Sequence, residues 1–252
     1  MNNLPMLLSI LTLVGVVAGQ IKSPQPPPVK TPFAESLQAV VVTSKEWEAT
    51  QGTARLFERT NPRAKWKSVG DQFAVVVGRS GMAWAIDSAP ENITEFKKEG
   101  DGKAPAGMFP LTFVFGSATK PEQLEFPYTK IEQFTECVDD PKSTHYNKIV
   151  DRMKVGIFDW KSSEKMLEVG EEYGLGVFVA YNSFPVRPEN GSCIFLHVWK
   201  DASTPTAGCT AMERLDLERL ITWLDASKTP YLVQMPDGEL KKFRNKWKLP
   251  KI

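Results

Sequence analysis

Short runs of β-branched and aromatic residues, separated by glycine, proline and polar turns, recur along the chain from about residue 37 and constrain its fold most strongly. Helical periodicity is rare; 44–59 is one candidate helix and 211–227 the stronger one. Many short strands with few helices predict an α+β domain, mainly β, in which a mainly antiparallel sheet or sandwich carries a few peripheral helices. The predicted strands are 37–43, 72–78, 82–86, 108–116, 175–182, 192–199 and 231–236.

The N-terminus has the layout of a secretory signal. An apolar stretch from Met6 to Ala18 ends in small residues, which predicts a signal peptide over 1–19 and an exported protein in the periplasm or the cell wall. An uncleaved membrane anchor and a buried helix are the alternatives, although the apolar run is short for a bilayer span. After cleavage we expect no membrane-spanning segment.

Proline and charge divide the rest of the chain. A proline-rich, extended linker is predicted over 20–35, one folded domain over 36–245 and a basic tail over 246–252. The formal net charge of +1 gives no support for a nucleic-acid partner. The sequence does not indicate an oligomeric state.

The stretch LHVWKDASTPTAGCTAME holds one of the two histidines and one of the three cysteines, at the two ends of one loop. His197 closes the predicted strand 192–199. Because side chains alternate along a strand, His197 shares one face with Cys193 and Phe195. Cys209 follows the loop, directly after a glycine.

Thr210 and Glu213 fit a capping box, which predicts that Cys209 stands at a helix N-terminus. The helix dipole and a nearby imidazole would then lower the pKa of the thiol. The main-chain amides of Ala207, Gly208 and Cys209 could converge on an oxyanion. These are the parts of a Cys–His acyl-transfer site. A buried structural cysteine beside a hydrogen-bonded histidine is the alternative explanation for the same residues. No metal site is predicted, because its ligands would have to come from distant segments of the chain.

Two segments of the chain resemble the L,D-transpeptidase catalytic-domain family, in its exported branch. The family signature is a histidine followed, after a variable loop, by Ser/Thr-x-Gly-Cys, and here His197, Thr206, Ala207, Gly208 and Cys209 occupy those positions. The segment KKEGDGKAPAGMFPL is similar to the family's Gly-Asp-Gly-x-x-Pro-x-Gly-x-Phe segment.

The resemblance covers roughly residues 37–240. It implies that the domain over 36–245 is an L,D-transpeptidase-like catalytic domain with a β-sandwich or mixed sheet. It also implies that the partners are peptidoglycan stem peptides and that no cofactor is needed.

By resemblance, Cys209 is the nucleophile that attacks a tetrapeptide stem and His197 is the base. The carbonyl of Val198 would orient the imidazole, and the amides of Gly208 and Cys209 would form the oxyanion hole. An amine acceptor makes the protein a peptidoglycan L,D-transpeptidase, and water makes it an L,D-carboxypeptidase. A non-catalytic cell-wall-binding module with the same fold is the alternative from another class.

Two positions depart from the family pattern. Many members have an arginine two residues after the cysteine, where this chain has Ala211, and many have glycine or serine where it has Val198. Lys103 and Arg187 are therefore candidates for binding the substrate carboxylate. The remaining candidate substrate-binding residues are Thr206, Ala207 and Trp199.

The other two cysteines leave two outcomes open. If Cys209 is the nucleophile, Cys137 and Cys193 either form a disulfide in an oxidising compartment or remain two buried thiols. Asp139 and Asp140 lie in a polar turn, which fits loop capping or recognition of a substrate amine.

Overall fold

The computed structural model describes residues 33–252, so the predicted signal peptide 1–19 and most of the predicted linker lie outside the described residues. The helices are α1 (Arg214–Trp223) and α2 (Asp237–Trp247), with 3₁₀ helices at Phe33–Glu35, Gly170–Tyr173 and Ala226–Lys228. The strands are β1 (Gln38–Ser44), β2 (Gln51–Glu58), β3 (Lys67–Val76), β4 (Met82–Trp84), β5 (Ala104–Gly116), β6 (Tyr128–Lys130), β7 (Thr135–Val138), β8 (Ile149–Asp151), β9 (Ser163–Lys165), β10 (Leu175–Val179), β11 (Phe195–Val198), β12 (Thr210–Met212) and β13 (Tyr231–Pro236).

The main sheet closes on itself. Its order is β10, β11, β12, β3, β2, β1, β13 and β5, and β5 pairs back with β10. Strand β5 can close the ring because it is long: residues 107–110 pair with β13 and residues 111–116 pair with β10. Most of these pairings are antiparallel, while β1 with β13 and β11 with β12 are parallel. The predicted mainly β architecture with a mixed sheet is confirmed, and closure makes it a barrel.

One predicted helix is wrong and another is shortened. Residues 51–58 of the predicted helix 44–59 form β2, which pairs with β1 on one side and β3 on the other. Two full ladders outweigh the helix propensity of its alanine, arginine, leucine and glutamate residues. The second predicted helix, 211–227, begins only at Arg214, because Thr210–Met212 pairs with β11 and β3 as strand β12.

Strand β11 separates two apolar cores. Leu196 and Val198 face the main core inside the barrel, and Phe195 belongs to a second cluster outside it, as alternation predicts. A small sheet of order β8, β7, β9 covers this second cluster. The second cluster consists of Phe113, Phe115, Ile131, Cys137, Ile149, Met166, Tyr173, Phe178, Cys193, Phe195 and Cys209.

A disulfide fastens the small sheet to the barrel. Cys137 in β7 is bridged to Cys193, two residues before β11. Of the two outcomes that the sequence leaves open, the structure therefore has the bridge, and Cys209 is the free cysteine.

Both ends of the described chain pack against the barrel. Phe33 is buried, stacks on Trp66 and meets the edge of Tyr231. Leu249, beyond α2, is also buried. Buried residues thus lie on both sides of the range 36–245, and the domain bounds themselves stay a prediction. Within residues 33–252, no helix is long and apolar enough to cross a bilayer.

Candidate active site

The parallel pair β11 and β12 brings His197 and Cys209 to one cavity. Leu196 is opposite Thr210 and His197 is opposite Ala211, so Cys209, directly before β12, lies beside Phe195, two positions before His197. Both side chains are buried, and both line a cavity of about 400 Å³. The two scarcest reactive side chains of the loop therefore share one chemical environment.

The loop that carries Cys209 is held by Thr206. The Thr206 hydroxyl donates to the Cys209 carbonyl at 2.6 Å and accepts from the Gly208 amide at 3.1 Å. The Thr206 main chain is also hydrogen-bonded to Val77 and Arg79, which docks the loop on the end of β3. Gly208 has a φ of +155°, and a Cβ there would lie 3.1 Å from the Lys103 carbonyl oxygen, so this position requires glycine.

The environment of the sulfur differs from the prediction. Cys209 precedes a strand, and α1 begins five residues later without a side-chain cap at Glu213, so no helix dipole acts on the thiol. The sulfur accepts from the Phe195 amide at 3.3 Å and lies 3.4 Å from the Cys193 carbonyl oxygen. Burial, together with the negative charge of Glu164, raises the pKa of the Cys209 thiol to about 12. The predicted lowering of this pKa is wrong, and the thiol is protonated at neutral pH.

His197 is oriented by its own strand. Its Nδ1 lies 2.8 Å from the Val198 carbonyl oxygen, the contact that the family resemblance implies for this position. Because the contact is made by the main chain, valine in place of glycine or serine does not disturb it. Burial lowers the pKa of His197 to about 4, although hydrogen bonding to Val198 and the neighbouring Glu172 oppose the shift. The imidazole is therefore neutral at neutral pH, with Nδ1–H donating to Val198.

This burial predicts a pH dependence of stability. Between the ordinary pKa of 6.5 and a folded pKa of about 4, the unfolded chain binds a proton at His197 that the folded chain does not. The stability contributed by neutral His197 is therefore present above pH 6.5 and is lost as the pH falls to about 4. Relative to His197→Gln, we expect the wild type to lose about 3 kcal/mol of unfolding free energy across this window.

Urea unfolding of both proteins at each pH measures the difference. Other groups, including Glu164, titrate in both proteins. Their contribution therefore cancels when the unfolding free energy of the variant is subtracted from that of the wild type. A wild-type minus variant difference that stays constant with pH would show that His197 is not buried in its neutral form.

Two residues at the cavity carry no sequence signal of their own. The Tyr173 ring meets the His197 ring edge-on at 5.2 Å, and its hydroxyl donates to Glu164 Oε2 at 2.7 Å. Tyr173 ends a 3₁₀ helix and Glu164 lies in β9, so only the folded chain brings them to Cys209. The sequence analysis did not single out either residue.

The predicted substrate-binding residues divide into two groups. Trp199, Thr206 and Ala207 line the cavity, but Lys103 and Arg187 do not. The Arg187 side chain forms an ion pair with Asp87 at 2.8 Å, and the Arg187 main-chain amide donates to Asn182 Oδ1 at 2.9 Å.

Other basic side chains line the cavity instead. They are Arg79, Lys97 and Lys200, of which Lys97 is buried and paired with Asp101 at 2.7 Å. Asp140 caps its loop by accepting from the amides of Lys142 and Lys161. Asp139 lines the cavity, and its buried Oδ1 has no hydrogen-bond partner among the described residues.

A barrel with a histidine on one strand and a free cysteine directly before the parallel neighbouring strand defines a candidate cysteine-dependent site in a mainly β domain. The L,D-transpeptidase catalytic domain family (YkuD) matches residues 40–233, and the chain belongs to this family. No curated protein matches the chain. Among solved structures, the helical cell shape determining protein Pgp2 from Campylobacter jejuni is similar over 80% of this chain, with 14% identity and a TM-score of 0.42. The similar part is 48% of that chain.

Proposed function

We propose that this protein is an exported peptidoglycan L,D-transpeptidase that acts through Cys209. The observation that carries the proposal is the placement of a free cysteine and an oriented histidine in one cavity of a chain that belongs to this family. The substrate class follows from the family, whose members act on the stem peptides of peptidoglycan. The predicted signal peptide would deliver the enzyme to the periplasm or the cell wall.

The reaction begins with proton transfer from Cys209 to Nε2 of His197, the ring nitrogen that does not contact Val198. The sulfur then attacks the carbonyl that precedes the terminal D-residue of a tetrapeptide stem, and a tetrahedral oxyanion forms. The amides of Gly208 and Cys209 are the candidate donors to this oxyanion, with the Gly208 amide released from Thr206 when substrate enters. The imidazolium returns the proton to the departing amine, which leaves an acyl-enzyme on Cys209.

The second half of the reaction restores the thiol. An acceptor amine loses a proton to His197, attacks the thioester carbonyl and displaces the Cys209 sulfur, which recovers the proton from the imidazolium. A new amide bond replaces the one that was broken, so no external energy source is needed.

The cations at the cavity can replace the arginine that the family has after the cysteine. Ala211 is completely buried and cannot bind a carboxylate. Arg79 and Lys200 line the same cavity and are not paired with an acidic side chain among the described residues. We assign to them the stem carboxylates, in place of Lys103 and Arg187.

Incubation with a disaccharide-tetrapeptide muropeptide tests this function. We expect release of the terminal D-amino acid together with cross-linked dimers or products that contain an added D-amino acid, identified by mass. Tripeptide products alone would indicate an L,D-carboxypeptidase. Binding without any change in the muropeptide would contradict an enzymatic role and favour a wall-binding module.

A further inference from the structure

We propose that Tyr173 and Glu164 form a proton path from the Cys209 thiol, separate from the His197 path. The inference rests on the proposed role of Cys209 as nucleophile. It explains how a thiol that is buried away from any helix N-terminus can lose its proton.

The Tyr173 side chain lies in the same buried cluster as Cys209 and is hydrogen-bonded to a carboxylate of the cavity. Its hydroxyl donates to Glu164 Oε2 at 2.7 Å, all three side chains line the cavity, and the interaction with Tyr173 lowers the pKa of the Cys209 thiol. The ring meets Phe195 edge-on at 5.4 Å and His197 at 5.2 Å, which fixes the direction of its hydroxyl.

Glu164 has the environment of a proton acceptor near neutral pH. Glu164 is partly buried, and its side chain lines the cavity. Burial raises the pKa of Glu164 to about 7; the hydrogen bond from Tyr173 opposes this shift, and the charges of Asp139 and Glu99 add to it. At slightly alkaline pH the carboxylate is therefore ionised, yet basic enough to take a proton.

The other charged groups of the cavity come from several further segments. Lys97, which is paired with Asp101, lies before β5, and Arg79 lies in the turn after β3. Glu172 stands beside Tyr173 in the 3₁₀ helix, and Lys200 begins the loop after β11. Among the charges that act on Glu164 itself, the principal ones are the acidic Asp139 and Glu99.

The proton transfer balances without a co-reactant. The S–H bond of Cys209 breaks as the Tyr173 oxygen takes its proton, and the original phenolic proton moves to Glu164 Oε2. The products are a thiolate, an unchanged tyrosine and a neutral carboxylic acid. One buried negative charge moves from oxygen to sulfur and none is created, whereas transfer to His197 creates a buried ion pair. The transfer also removes the Glu164 charge that opposes the thiolate.

Alkylation of Cys209 by iodoacetamide tests the path without any peptide substrate. The chain has three cysteines and two are bridged, so the reaction reports on one sulfur. We expect the wild-type rate to rise through a step near pH 7, where Glu164 ionises. In Glu164→Gln and in Tyr173→Phe this step disappears, and the rate at about pH 8 falls at least about tenfold.

The sign of the Glu164→Gln effect decides between two roles of the carboxylate. If Glu164 acts only through its charge, removing that charge lowers the thiol pKa and speeds alkylation. A faster Glu164→Gln protein, or a Tyr173→Phe protein with the wild-type pH profile, would overturn the proposal. Tyr173→Phe keeps the ring packing, and equal urea midpoints for the variants and the wild type verify the fold.

Tyr128→Phe is the control for removal of a phenol. The Tyr128 hydroxyl donates to the Ala118 carbonyl at 2.6 Å, and Tyr128 does not line the cavity. We expect its alkylation rate to stay within about twofold of the wild type at every pH. The experiment separates the two proposals. If the alkylation rate of the wild type shows the step near pH 7 but the protein does not turn over muropeptides, the proposed function alone is refuted. Turnover with unaltered Tyr173→Phe and Glu164→Gln profiles refutes the proton path alone.

Discussion

Replacement of Cys209 by alanine is expected to abolish turnover of tetrapeptide stems, with a fall in rate of at least about 10⁴-fold. The sulfur forms the covalent bond to the stem, and no other side chain that lines the cavity is a thiol. Cys209→Ser keeps a nucleophilic atom in the same place but has a far less acidic proton, so it should be nearly as inactive. Quantifying the released D-amino acid measures both variants against the wild type.

Folding controls distinguish a loss of catalysis in Cys209→Ala from a loss of the folded structure. The Cys209 side chain is only 6% exposed and its alanine variant loses one buried sulfur, a change expected to cost about 1 to 2 kcal/mol of unfolding free energy. Circular dichroism and muropeptide binding should both survive. An alanine protein that still turns over stems at a rate near the wild type would rule out the covalent mechanism.

Loss of the Cys137–Cys193 bridge is expected to have the largest effect on stability. The bridge closes a loop with a sequence separation of 56 residues and joins the small sheet to the barrel. Chain entropy for a loop of this length predicts a loss of about 4 kcal/mol of unfolding free energy in the Cys137→Ala, Cys193→Ala protein. Urea unfolding at neutral pH, with and without a reductant, measures this loss.

Cys209→Ala is the matched control for the bridge, because it also removes a buried sulfur from the second core but leaves the cross-link intact. Reductant should destabilise the wild type and Cys209→Ala equally and leave the double variant unchanged. A double variant that unfolds at the same urea concentration as the wild type would show that the bridge does not form.

Much of the barrel could be predicted because it depends on local patterns. Strand β1 is rich in β-branched residues, β11 and β13 are mostly apolar or aromatic, and alternation correctly assigned the two faces of β11. The loop from His197 to Cys209 was also recognisable, since its signature residues lie within thirteen positions of one another. Strand β2 was missed because its composition favours a helix and only its two neighbouring strands make it extended.

The chemistry of the site depended on contacts that local sequence does not encode. Thr210 and Glu213 look like a capping box, but pairing of Thr210 with Leu196 makes this segment a strand and removes the helix dipole from Cys209. The pKa of the thiol therefore follows burial instead of the dipole. Tyr173 and Glu164 line the cavity of Cys209 from a 3₁₀ helix and from a separate sheet, which no spacing in the sequence indicates.

The most direct test of acyl transfer through Cys209 is the mass of the protein during turnover. Wild-type protein mixed with a tetrapeptide stem and quenched rapidly in acid should gain the mass of the stem without its terminal D-residue. Proteolysis should locate that added mass on the peptide that contains Cys209, and Cys209→Ala should gain nothing. Turnover of the stem with no adduct on this peptide, or an adduct at another residue, would contradict the account.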